Sequence, residues 1–76
     1  MREYNGHRSW NAWNVALWIG SDEPLYRFAM ECIHLRRGVE GATRRFMRAM
    51  GNERTPDGAT YNRLSVKLAL EGLMEG

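Results

Sequence analysis

The side chains able to do chemistry in this 76-residue chain are few and scattered. The imidazole and thiol donors are His7, Cys32 and His34. A zinc site needs three or four donors converging in tetrahedral geometry. Cys32 and His34 are two positions apart, and on a helix such residues point about 200° away from each other, so the pair cannot grip one ion. No metal and no cofactor is expected. A serine or cysteine nucleophile needs a histidine and an orienting group beside it, and no such signature surrounds any candidate. The nine acids fall mostly at helix starts, in loops and at the C-terminus, which is a poor arrangement for paired carboxylates. The glycines at Gly38, Gly51 and Gly58 stand singly, as helix ends and turns require, whereas a phosphate loop needs them clustered. The chain therefore reads as a binding protein with no catalytic machinery.

What remains are cations and aromatics. Net charge is only +2, yet ten of the eleven cations are arginines, Lys67 being the exception. From Cys32 to Asn52 there are five of them, Arg36, Arg37, Arg44, Arg45 and Arg48, against one acid, Glu40. Arginine is the cation suited to bidentate contact with carboxylate or phosphate. Arg44, Arg45 and Arg48 occupy i, i+1 and i+4 and so cluster on one side of a helix, where they could meet phosphates or an acidic protein surface. A merely solvated face is the competing account, and GC-rich codon usage would also favour arginine over lysine. Arg36 and Arg37 would sit in the last turn of the preceding helix, where the macrodipole alone could explain them. Three tryptophans fall within nine residues. Trp10 and Trp13 are expected in the core. Trp18 shares a mixed strip with Asn11 and Asn14, the composition of an interface anchor with a polar rim.

The elements that must carry these residues are helices. Ser9 can cap a helix over 9–19, with Gly20-Ser21 as its stop. On it Trp10, Trp13 and Leu17 share one face and Val15 and Ile19 lie roughly opposite. A helix apolar nearly all round is usually buried on several sides, which makes this segment the expected centre of the domain. Ser21-Asp22-Glu23-Pro24 supplies cap candidates, first-turn acids and an early proline for a second helix running to about Arg37. Leu25, Phe28, Ala29, Cys32 and Ile33 form its apolar stripe, with Gly38 in the left-handed C′ position. A third helix over Val39–Met50 turns Val39, Ala42, Phe46 and Met50 inward and its arginines outward. Asn52 to Thr60, with Thr-Pro-Asp-Gly inside it, is a loop containing a turn. The last helix runs from about Tyr61 or Asn62 to Met74, carrying Leu64, Val66, Leu68, Leu70, Leu73 and Met74. A short extended segment near 59–64, followed by a helix capped at Ser65, is its alternative. The fold class is all-α, a compact bundle of three to four short helices in a single domain over 1–76.

A single cysteine cannot form an internal disulfide, and a secreted domain of this size would normally need several, so a reducing cytoplasm is expected. Met1 to Gly6 is polar and lacks the apolar region of a secretory leader. The longest uncharged run, Ser9 to Ser21, is far short of the roughly 20 apolar residues that span a bilayer, so no membrane partner is expected.

The N-terminal third carries a family likeness. Tyr4-Asn5-Gly6, then Trp13-Asn14-Val15-Ala16-Leu17-Trp18-Ile19, then Asp22-Glu23 and Leu25-Tyr26 resemble a family of small uncharacterised proteins encoded by phages and other mobile elements. The family pattern has Tyr-Asn-Gly-Trp, a few polar residues, and Thr-Trp-Asn-Val-x-Leu-Trp-Ile. His7 here replaces the first tryptophan and Ala12 the threonine. The resemblance covers residues 4 to 26 and implies an origin in mobile DNA, where small single-domain proteins often inhibit host defence stoichiometrically, as anti-CRISPR proteins do. The leading expectation is thus a protein-binding module in the host cytoplasm that sterically blocks a host protein or ribonucleoprotein complex, such as a CRISPR effector. Its contact residues would be Arg36, Arg37, Arg44, Arg45, Arg48 and Trp18. A nucleic-acid-binding module using the arginine-bearing helix, and a small homodimeric phage structural or regulatory protein, are the alternatives.

Overall fold

The computed structural model describes residues 9–35 and 38–75. Four helices follow in order: α1 Trp10–Ser21, α2 Glu23–Leu35, α3 Val39–Met50 and α4 Arg63–Glu75. They form an all-α bundle in which each helix packs on its neighbours in sequence and α4 closes the ring against α1. A smaller contact joins α2 to α4 across the diagonal.

The boundaries have local causes. Ser9 is extended and its hydroxyl accepts a hydrogen bond from the Ala12 amide at 3.1 Å, which caps α1 as expected. Asp22 alone links α1 to α2: its amide closes α1 on the Trp18 carbonyl, and its carboxylate accepts from the Leu25 amide at 3.1 Å. Gly38 is not a left-handed C′ residue. It is extended (φ −141°) and stands as the N-cap of α3, so its role belongs to the following helix. The expected extension of α2 through Arg36 and Arg37 lies outside the described residues. Asn62 starts α4 through a reciprocal pair, its Oδ1 accepting from the Ser65 amide at 2.8 Å while the Ser65 hydroxyl accepts from the Asn62 amide at 3.1 Å. Ser65 is therefore inside the helix, and the extended alternative survives only as one isolated bridge between Arg54 and Thr60.

The core is built from Val15, Ile19, Ala29, Cys32, Ala42, Phe46, Val66, Ala69 and Leu70, joined by Ala59 and Tyr61 from the connecting segment. Phe46 is its central ring, 5.4 Å from Phe28 and 5.8 Å from Tyr61 between centroids. The stripes expected on α2 and α3 face inward. On α1 the expectation of burial on several sides holds for one side only. Ala12, Val15 and Ile19 are buried and Trp13 is half-buried, while Trp10 is 38% exposed and Leu17 43%, so the indoles are not the pillar of the domain. The small side chains face inward because α4 and the 51–62 segment pack against α1 on that side. On α4, Leu64 and Met74 are likewise exposed and Val66, Ala69 and Leu70 take the buried positions.

Candidate functional site

The strip of Asn11, Asn14 and Trp18 on α1 seats the loop between α3 and α4. Thr55-Pro56-Asp57-Gly58 makes a tight turn, closed by the Gly58 amide on the Thr55 carbonyl at 2.8 Å. Gly58 has φ +96°, a conformation that glycine takes without a Cβ penalty. The next residue returns toward Thr55, whose amide donates to the Ala59 carbonyl at 2.9 Å. This turn delivers the Asp57 carboxylate to α1, where Asn14 Nδ2 and Trp18 Nε1 both donate to Oδ2 at 2.9 Å. The buried Thr55 hydroxyl donates to Asn14 Oδ1 at 2.6 Å and accepts from the Ala59 amide at 3.0 Å. Asn11 holds Thr60 from both sides, donating to its carbonyl at 2.9 Å and accepting from its amide at 2.8 Å. The two hydrogen bonds, from Asn14 first and Trp18 second, hold the Asp57 carboxyl below its ordinary value of 3.8. Burial, with smaller contributions from the nearby Asp22 and Glu53 carboxylates, pushes the Tyr61 phenol above 10.0. The polar end of Trp18 is thus committed within the fold.

The arginines of α3 are arranged differently. Arg44 and Arg48 are exposed and make no ion pair among the described residues, and Arg45 reaches only Glu31 of α2, at 4.0 Å. Glu40 is the one acid on α3, and it turns away to α4, taking Lys67 at 2.8 Å and Arg63 at 3.4 Å. Those contacts, Lys67 foremost, hold the Glu40 carboxyl below its ordinary value. The acid that could have screened Arg44 from one turn away is occupied elsewhere. Gly41 lies one turn before Arg44 and Arg45, and together with Arg44, Arg45 and Arg48 it lines a cavity of about 120 Å³. Three guanidinium groups around a recess make a cradle for an anion, since each can present paired N–H donors in a plane.

Sequence reading brought Arg44, Arg45 and Arg48 to one face, and the structure places them there. Arg36 and Arg37 lie outside the described residues, as does His7. Trp18 is on the opposite side of the ring from α3, because α1 and α3 do not touch, so it is not part of the arginine site. What the sequence did not announce is the apolar surface beside the arginines. Leu25, Phe28 and Met50, expected as core, are only half-buried and line a groove with Pro24 and Ala49. No described group of three or more His, Cys, Asp or Glu side chains could hold a metal ion. Nor is any described helix long and apolar enough to cross a membrane.

No curated protein and no solved structure matches this chain. A family model does, over residues 1–76, and the chain belongs to that family, DUF7249, a family of unknown function.

Proposed function

We propose that this domain is a non-catalytic protein-binding module that docks the arginine face of α3 onto an acidic surface of a larger macromolecular partner and blocks it sterically. The observation that carries this reading is the set of Arg44, Arg45 and Arg48 around the Gly41 recess, where Arg44 and Arg48 are exposed with no ion pair among the described residues, Arg45 has only a 4.0 Å contact with Glu31, and Glu40 is diverted to Lys67 and Arg63. A surface of this kind speeds encounter with an acidic partner and selects against basic ones. The likeness of residues 4 to 26 to proteins of phages and mobile elements supports a host-defence complex in the cytoplasm as the partner, with a CRISPR effector as the type to test first.

Exchange of Arg44, Arg45 and Arg48 together for Glu reverses the face and takes the net charge from +2 to about −4, since each exchange moves it by two. Pulldown from host lysate at low salt should recover a stable complex with the wild-type chain and none with the triple variant, while both melt within a few degrees of each other. Direct binding to nucleic acid uses the same arginines and is separated cheaply. Affinity for random duplex DNA weaker than about 100 μM at physiological salt lies outside the range of non-specific binders and excludes it.

A further inference from the structure

The arginine recess is one end of a longer feature. A cavity of about 170 Å³, lined by Phe28, Arg45, Arg48 and Ala49, shares Arg45 and Arg48 with the recess. A third, of about 330 Å³ and lined by Asp22, Pro24, Leu25, Phe28, Ala49 and Met50, shares Phe28 and Ala49 with the second. The second and third follow the seam between α2 and α3, and the first adjoins them on the outer face of α3. The seam has a polarity: the Asp22 carboxylate at one end, an apolar floor centred on Phe28 and Ala49, and three guanidinium groups at the other end.

We infer that this seam is a binding groove for a segment of an acidic protein partner that presents a bulky apolar side chain to Phe28 and Ala49 and carboxylates to Arg44, Arg45 and Arg48. The inference rests on the docking proposed above and adds to it the chemistry of the docked segment. Charge complementarity argues for acids at the arginine end. Arg44 and Arg48 are exposed there and make no ion pair among the described residues, so an arriving carboxylate meets guanidinium donors not already engaged. At the far end, Asp22 lines the groove and supplies an acceptor, its Oδ2 already capping α2 through the Leu25 amide. An acyl chain lying over the same floor would offer that acceptor nothing. From Ala49 to Arg44 is five residues of helix, about 8 Å of rise. That length corresponds to roughly two to three residues of extended chain between the apolar anchor and the acids.

The test is selection of the full-length chain against a displayed library of random dodecapeptides, with the enriched peptides then measured by fluorescence polarisation. The expected consensus joins a Leu, Met or aromatic residue to two or more acids two to three positions away. Replacing that apolar residue by Ser should weaken binding at least tenfold. Ala49→Gln, which fills the exposed apolar floor without changing charge, should remove this advantage and leave the residual acidic attraction in place. A consensus of acids alone, or equal binding of the apolar and Ser peptides, overturns the groove and leaves the arginine docking standing. Failure to enrich any acidic peptide overturns both. Tighter binding of laurate or of phosphatidylserine vesicles than of any selected peptide overturns the peptide reading in favour of a lipid. Circular dichroism and melting of Ala49→Gln within a few degrees of wild type separate blocking from unfolding.

Discussion

Asn14 is the residue on which the loop depends most. It is 2% exposed, and its amide satisfies Thr55 with one end and Asp57 with the other. Asn14→Ala removes both bonds and strands a buried hydroxyl, which should cost about 2–3 kcal/mol. Calorimetry should find a melting temperature lower by roughly 4–8 °C for each of those kcal/mol in a domain of this size. Asp57 makes the clamp sensitive to acid. Its folded pKa lies below the ordinary value, so its contribution is complete above pH 3.8 and is lost as pH falls through the lower folded value. Tyr61 acts at the other extreme: its folded pKa is raised above 10.0, so its contribution is complete below that pH and fades above it. Asp57→Asn should reduce the acid-side loss in a pH–melting profile, leaving the share of Glu40, while Tyr61→Phe reduces the alkaline one, leaving the share of Lys67. None of this pairing was legible in the sequence. Asn11 and Asn14 announced themselves only as polar interruptions of an apolar helix, and their partners lie more than forty positions away. The turn itself was legible, because Pro-Asp-Gly encodes its geometry locally.

At the scale of elements, helices were readable where one apolar stripe dominates and ambiguous where two compete. On α2 and α3 the spacing of Ala29 and Cys32, and of Ala42 and Phe46, left one inward face, and that face is buried. On α1 and α4 two stripes of similar strength were present, and periodicity cannot say which meets a neighbour. The buried one on α1 is the smaller, Ala12, Val15 and Ile19, because close approach of α4 favours small side chains over indoles. Size was therefore a misleading guide to burial. Two substitutions test the elements. Phe46→Ala takes away the ring that touches both Phe28 and Tyr61 and should cost about 3–5 kcal/mol, enough to leave much of the chain unfolded in thermal or urea titration. Gly72 lies inside α4 with open space where a side chain would go, so Gly72→Ala should raise stability by about 0.5–1 kcal/mol in the same titrations.

At the scale of the molecule, the two functional-looking strips of the sequence part company. The α1 strip turns inward to hold a loop, while the α3 face, diagonal to it, keeps Arg44 and Arg48 exposed. Partner association through exposed guanidinium groups should slow as salt screens them, since the Debye length falls from about 10 Å at 0.1 M to about 3 Å at 1 M. Surface plasmon resonance across that range should show the change mainly in the association rate. A rate indifferent to salt would point away from the arginine face.

The indole of Trp18, hydrogen-bonded to a carboxylate at 2.9 Å, turns the loop's seating into an optical signal. A tryptophan whose N–H meets a negative charge emits differently once that charge is neutralised or withdrawn, and Trp10 and Trp13 can be silenced by exchange for Phe. A single-tryptophan variant of this kind would let emission be followed through an acid titration. Release of the turn would then appear as a spectral step, and its position before or within collapse of the helical signal would reveal whether loop and bundle come apart in sequence or together.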